Sequence, residues 1–232
     1  IGEVGRVVLS AIAGIAVACL ILYCVNKNYD GTSGRRSDLT ELALTVEDKE
    51  NLHEKDLSGG VYRYILTDAQ IEECYNQAKI LFQDYRDNSA RVQINKLLNS
   101  NASAAVKAKA QLLLSYFEDP TFDTFVNHGE ENFTYMDVAS DPVLYSGCWV
   151  SWSGRISNAR ELDDSYRCDL LVGYENLERV DGIVSVYFSP VPVPEIEGDR
   201  AVKILAKIGI ENGKIALQAR SVYQPLRKNE KK

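Results

Sequence analysis

Histidine is almost missing from this chain. His53 and His128 are the only two in 232 residues. Neither stands in a pattern with cysteine or carboxylate that a metal site would use, so both read as surface residues and no metal site is expected. Cysteine is scarce and scattered. Cys19 and Cys24 lie in an apolar run, and Cys74, Cys148 and Cys168 form no C-x-x-C pair, which excludes a disulfide framework and zinc-type spacing. There is no G-x-S-x-G, no P-loop and no dinucleotide fingerprint. The carboxylates Asp163, Asp164 and Asp169 cluster, but the first two sit in a turn, where aspartate is favoured for backbone reasons. The chain therefore reads as non-enzymatic, with no catalytic residue and no cofactor. Positive charge is also in deficit. Lys and Arg number 26 against 33 Asp and Glu, for a net charge of −7, and such a balance counts against general nucleic-acid binding.

What is present begins with an apolar run. Val7 to Val25 carries no charge over 19 residues, and as a helix it would be about 28 Å long, close to a bilayer's hydrocarbon thickness. A signal peptide has a shorter apolar region ending at small residues; here Leu20, Ile21 and Leu22 continue past Ala16 and Ala18. The stretch Ala16–Cys19 resembles a lipoprotein signal that would lipidate Cys19, but Ala16 stands where leucine is usual and the following residues stay apolar. The expectation is an uncleaved anchor over residues 1–27. Ser10, Gly14 and Ala18 recur every four residues, a small-residue stripe through which two such helices could pack and the chain self-associate. The basic flank after the run, Lys27, Arg35 and Arg36, points the body to the cytoplasm. The chain begins with Ile1, so a preceding segment is expected and that count is incomplete. A single N-terminal anchor with a long body commonly exports it, and a periplasmic body is the expectation, with a cytoplasmic one as the alternative.

Residues 28–60 are polar and broken by "DGTSGRRSD" and "DLSGG", which reads as a flexible spacer with one short helix near 39–51. Residues 61–126 turn helical. Thr67 and Gln70 fit a capping box, and Ile71, Cys74, Tyr75, Ala78, Leu81, Phe82 and Tyr85 then share one helical face. "DNS" at 87–89 is expected to break that helix. A second stripe follows with Ala90, Ile94, Leu97 and Leu98, and a third with Val106, Ala110, Leu113, Leu114 and Phe117, stopped by Pro120. On a 34-residue frame from Ile71, Ala78 and Ala90 fall on the two small-residue positions of a tetratricopeptide repeat. The section resembles one such unit over 71–104 with a partial second, which implies a surface for docking protein partners; a plain three-helix bundle is the alternative.

Residues 145–226 change period. "GCWVSWSGRIS", "YRCDLLVGYE", "IVSVYFS", "RAVKILAKIGI" and "IALQARSVYQ" are strand patterns, with a proline-rich connection after the third and Asn212–Gly213 as a hairpin turn before the fifth. Pairing the first two strands around Asp163 puts Cys168 opposite Asn158, too far from Cys148 to bridge. Five strands in this spacing, with Gly154–Ile156 in the first and Gly198–Asp199 before the fourth, resemble an OB-fold. That resemblance implies a ligand face on the second and third strands and adjoining loops, drawn from Trp149, Trp152, Arg155, Arg167 and Tyr187. The aromatic connector at 127–144 is expected to pack between helices and barrel, and 227–232 is a basic tail. The whole reads as α+β: a transmembrane helix, a small tetratricopeptide-like domain and a five-stranded OB-like barrel. It suits a membrane-tethered adaptor or scaffold of the bacterial envelope that binds protein partners and one further ligand. The alternative is a nucleic-acid-binding OB-fold held at the membrane.

Overall fold

The computed structural model describes Arg36 and residues 38–55, 60–127 and 131–225. The expected anchor with Ser10, Gly14, Ala18 and Cys19, the residue His128 and the basic tail lie outside the described residues. Among the described residues no helix is long and apolar enough to cross a membrane. The chain divides into two units, 1–43 and 44–232. In the first, Thr40–Leu42 forms one 3-10 turn. The remainder concerns the second.

Its helical layer opens inside the stretch read as spacer, at a short helix within the 39–51 span where one was expected. Thr45 and Asp48 form a capping box that starts α1 (Val46–Glu50). Asp48 also takes the Lys109 ammonium at 2.6 Å, which with the capping bonds from Thr45 holds its carboxyl down at about 2. Leu52 is buried, His53 bridges Ala102 and Tyr64 bridges Ser100. So the later part of the stretch read as spacer is built into the helical layer. The Asp48–Lys109 pair, Leu52 and main-chain bonds to Ser103 and Asn101 do that work, and the polarity of the segment disguised it.

α2 (Asp68–Gln83) starts at the expected Thr67–Gln70 box and buries Ile71, Cys74, Tyr75, Ala78 and Phe82. It ends before the expected break. Tyr85 adopts φ 59°, the left-handed region that stops a helix, and Asp87, Asn88 and Ser89 instead form the first turn of α3 (Asp87–Leu98), where an acidic residue suits the helix dipole. α4 (Ala104–Leu114) follows. Phe117 lies beyond its end and stacks on Phe82 with ring centroids 5.2 Å apart.

After α5 (Phe122–Asn127) and α6 (Tyr135–Ser140) come β1 (Trp149–Leu162), β2 (Ser165–Val172), β3 (Gly182–Phe188), β4 (Val202–Glu211) and β5 (Lys214–Tyr223). They close in the order β1-β2-β3-β5-β4, with β3 and β5 parallel and the other pairs antiparallel. β1 serves two partners: 149–154 pair with β4 and 154–162 with β2. The handover is at Gly154, where a Cβ would lie 2.1 Å from the Leu171 carbonyl oxygen, so only glycine allows the strand to bend there. Asn212 (φ 50°) and Gly213 (φ 75°) make the tight β4–β5 turn, as their sequence foretold.

Inside lie Trp152, Ile156, Cys168, Leu170, Val184, Val186, Ile204, Ile208 and Leu217. Tyr166, Cys168, Leu170 and Val172 alternate inward along β2 as expected. α6 adds Val138 to this core, and Tyr135 packs against it; the Tyr135 ring occupies the place a side chain at Gly182 would need. Cys148 and Cys168 are buried free thiols, and burial pushes Cys168 up to about 12.

Helices and barrel meet through asparagines. Residues 149–153 of β1 pair with β4 on one side, while β2 joins only at Gly154. On that other side, the Asn88 amide donates to the Trp149 carbonyl (2.6 Å) and accepts from the Trp149 N–H (2.8 Å). Asn132 does the same with Ser151, at 3.0 and 2.9 Å. Each side chain imitates the backbone of a missing strand, so buried peptide groups keep partners. Asn95 donates to the carbonyls of Leu144 and Ser146, tying the connector to the same helix, and Val92 of α3 packs against the barrel core.

Candidate ligand groove on the barrel

Two of the five expected ligand residues come together. Arg167 and Tyr187 are directly paired across β2 and β3, and both point outward by the strand alternation. The guanidinium carbon lies 4.5 Å from the Tyr187 ring centroid. Glu211, at the end of β4, completes the group: Arg167 Nη2 is 3.6 Å from its carboxylate, and the Tyr187 hydroxyl donates to it. Burial, and then that bond to a carboxylate, push the Tyr187 phenol above its ordinary value, so it stays a donor at neutral pH.

The other three serve the fold. Trp152 faces inward, only 4% exposed, and its indole N–H donates to the Phe133 carbonyl at 2.8 Å. Strand alternation sends it to the core while Trp149 goes out. Trp149 in turn is covered by Phe125 and Leu205. Lys207 Nζ sits 4.9 Å and the Arg220 guanidinium 6.0 Å from its ring, and Asp119 pairs with both cations. Arg155 donates to the backbone carbonyls of Asp199 and Glu175 and so clamps two loops.

Beside Arg167 runs an open groove of about 640 Å³. Its β2–β3 wall continues with Asp169, Ile183 and Ser185; the hairpin tip, Glu211 to Ile215, lines it too, as do Tyr135 and Ala139 of α6 and Pro142 just after that helix. Asp169 accepts from Ser185 Oγ (3.1 Å) and Asn158 Nδ2 (2.8 Å). Its charges balance: Arg167 and Lys214 against Asp169 and Glu211. Sequence reasoning missed Asp169, Ser185, Glu211 and Lys214 as groove residues. Alternation along β2 and β3 marks the first two as outward, but only barrel closure brings the β4–β5 tip alongside.

Among the described residues no group of three or more His, Cys, Asp or Glu is placed to hold a metal ion. Asn101 and Asn132, which begin N-x-S/T sequons, have their amides engaged internally. Asn101 pairs reciprocally with the Leu66 backbone at 3.0 and 2.6 Å, as Asn132 does with Ser151.

Residues 127–223 match the family described as the Spirochaete C-terminal OB fold. The five-stranded barrel is an OB fold. Residues 51–114 match a domain of unknown function, DUF8514, a span that begins inside the stretch read as spacer. No curated protein matches the chain.

Proposed function

We propose that the chain is a non-enzymatic, membrane-tethered adaptor of a bacterial envelope, whose OB fold holds one ligand in the groove beside Arg167 and Tyr187. The observation that carries this reading is the groove itself: an open, charge-balanced trench on the β2–β3 face and hairpin tip, where OB folds take ligands. The Tyr187 ring beside it is already stacked by Arg167, and Arg167 is already paired with Glu211, which disfavours a stacking platform for bases. The uncharged run at 7–25 would anchor the body to the membrane, and the match to a family described as spirochaetal supports a bacterial source.

The helical layer would dock a protein partner. Ala78 and Ala90 are both fully buried, in keeping with the close helix approach of a tetratricopeptide unit. Val61, Ile65, Ile80 and Leu112 remain exposed on this layer, as a docking surface would require.

The test is a binding comparison of the full chain and its Arg167→Ala variant with single-stranded DNA and RNA at low and high salt. The expected result is no nucleic-acid binding in the micromolar range. Salt-sensitive micromolar binding lost in the variant would contradict the adaptor reading. Cysteine labelling near the C-terminus in intact cells tests the tether, and labelling only after lysis would place the body in the cytoplasm.

A further inference from the structure

The groove lies along an incomplete seam in the barrel. β3 pairs with β2 along its whole length, from Gly182 to Phe188, but with β5 only over Ser185–Phe188. Before Ser185 the β3 edge has β2 on one side and no strand on the other among the described residues. β5 is in the same position across the gap: Lys214 and Ile215 pair with β4 alone. These two half-paired edges frame the groove, whose lining includes Ile183, Ser185, Lys214 and Ile215.

Proteins blunt free edges with charged side chains, proline or a covering element. The free edge of β1 is covered in that manner by Asn88 and Asn132. The β3 edge is covered only in part: the Tyr135 ring of α6 lies against Gly182 and Val184 is buried, but Ile183 between them is 64% exposed. We propose that this seam takes an extended peptide strand, which pairs with the β3 main chain around Ile183 and lays an apolar side chain on that residue. The proposal rests on the reading that the groove is a ligand site, and it names the ligand class.

Charge points the same way. The groove is balanced, and three of its four charged groups are engaged: Arg167 and Glu211 with each other, and Asp169 with Ser185 and Asn158. The Lys214 ammonium has no partner among the described residues. A polyanion would meet one unpaired cation here. An extended peptide instead gains affinity from main-chain hydrogen bonds and needs at most one acidic group, placed to reach Lys214.

The test uses the full chain in detergent against a displayed library of random heptapeptides, with a synthetic peptide of the selected sequence for binding and amide exchange. The expected result is a peptide whose binding slows exchange at Gly182–Val184 and leaves the Trp149 and Ser151 amides unchanged. Ile183→Asp should weaken it at least tenfold, and Lys214→Glu severalfold for an acidic peptide. If selected peptides shift the Arg167 and Tyr187 resonances without protecting Gly182–Val184, strand addition is overturned and the groove reading stands. If no selected peptide perturbs any groove residue, or the library yields none, the proposal fails. If single-stranded DNA or an oligosaccharide then shifts the groove, the site is right and the ligand class wrong; if nothing does, both readings fall.

Discussion

Two of the strand stretches that pair on one side only are treated in opposite ways. Along 149–153 of β1 the vacant side is filled by asparagine amides from α3 and from the connector. Along 182–184 of β3 it is left beside an open groove. Where the gap is closed, helices and barrel become one packed body. Where it is open, the exposed Ile183 stands on an edge paired on one side only, among the residues that make the groove. A buried edge must be satisfied to be stable, whereas an edge that water can reach may wait for a ligand.

The largest expected effect falls on the closed edge. Asn88→Leu removes both bonds to Trp149 at a site only 3% exposed. At about 1–3 kcal/mol for each buried group left unpaired, the loss should be roughly 3 kcal/mol in denaturant unfolding. A loss below about 0.5 kcal/mol would mean that the pairing is incidental. Asn132→Ala breaks the matching pair at Ser151, but Asn132 is exposed and water can replace it, so about 1 kcal/mol is expected.

Acid should loosen the same side. Tyr64 donates to Asp141 at 2.6 Å and Arg63 pairs with it at 2.8 Å, joining the start of the helical layer to the end of α6. Burial raises the Asp141 carboxyl, but those two partners outweigh it and hold it below its ordinary value. A carboxylate lowered in the folded state stabilises above its unfolded pKa, about 3.9, and that contribution is lost as pH falls through the folded value. The melting temperature should therefore drop on acidification below about pH 4, and by less in Asp141→Asn. An identical drop in the variant would remove Asp141 from the account.

The smallest effect on stability belongs to the open edge. Ile183→Asp changes an exposed side chain, so the unfolding midpoint should move by no more than about 0.5 kcal/mol, even as peptide binding is lost. A large destabilisation would show that Ile183 serves the fold and would erase the contrast between the two edges.

Much of this fold was readable in advance. Periodicity marked α2, α3 and α4, alternation marked β2 and β4, and Asn212–Gly213 marked the last hairpin. Trp149 and Trp152 show where the reading stopped short. They stand three apart in one strand, so alternation alone forbids a shared face; the core role of Trp152 was legible. The fate of Trp149 was not, because Phe125 covers it from α5 and Asp119, far off in sequence, pairs with the two cations beside its ring. The asparagine pairs were hidden for the same reason. Asn88 and Trp149 are 61 residues apart, and a polar residue at a helix start reads locally as a turn former. The later part of the spacer was misjudged because Leu52, the Asp48–Lys109 pair and main-chain bonds from Ser103 and to Asn101 dock a segment whose composition is otherwise polar.

Native-state hydrogen exchange of the free chain measures both edges at once. The account predicts that the Trp149 and Ser151 amides exchange as slowly as the barrel core, although no strand lies beside them. It also predicts that those of Gly182–Val184 not bonded to β2 exchange orders of magnitude faster. Equal protection at the two edges, or fast exchange at Trp149, would contradict it.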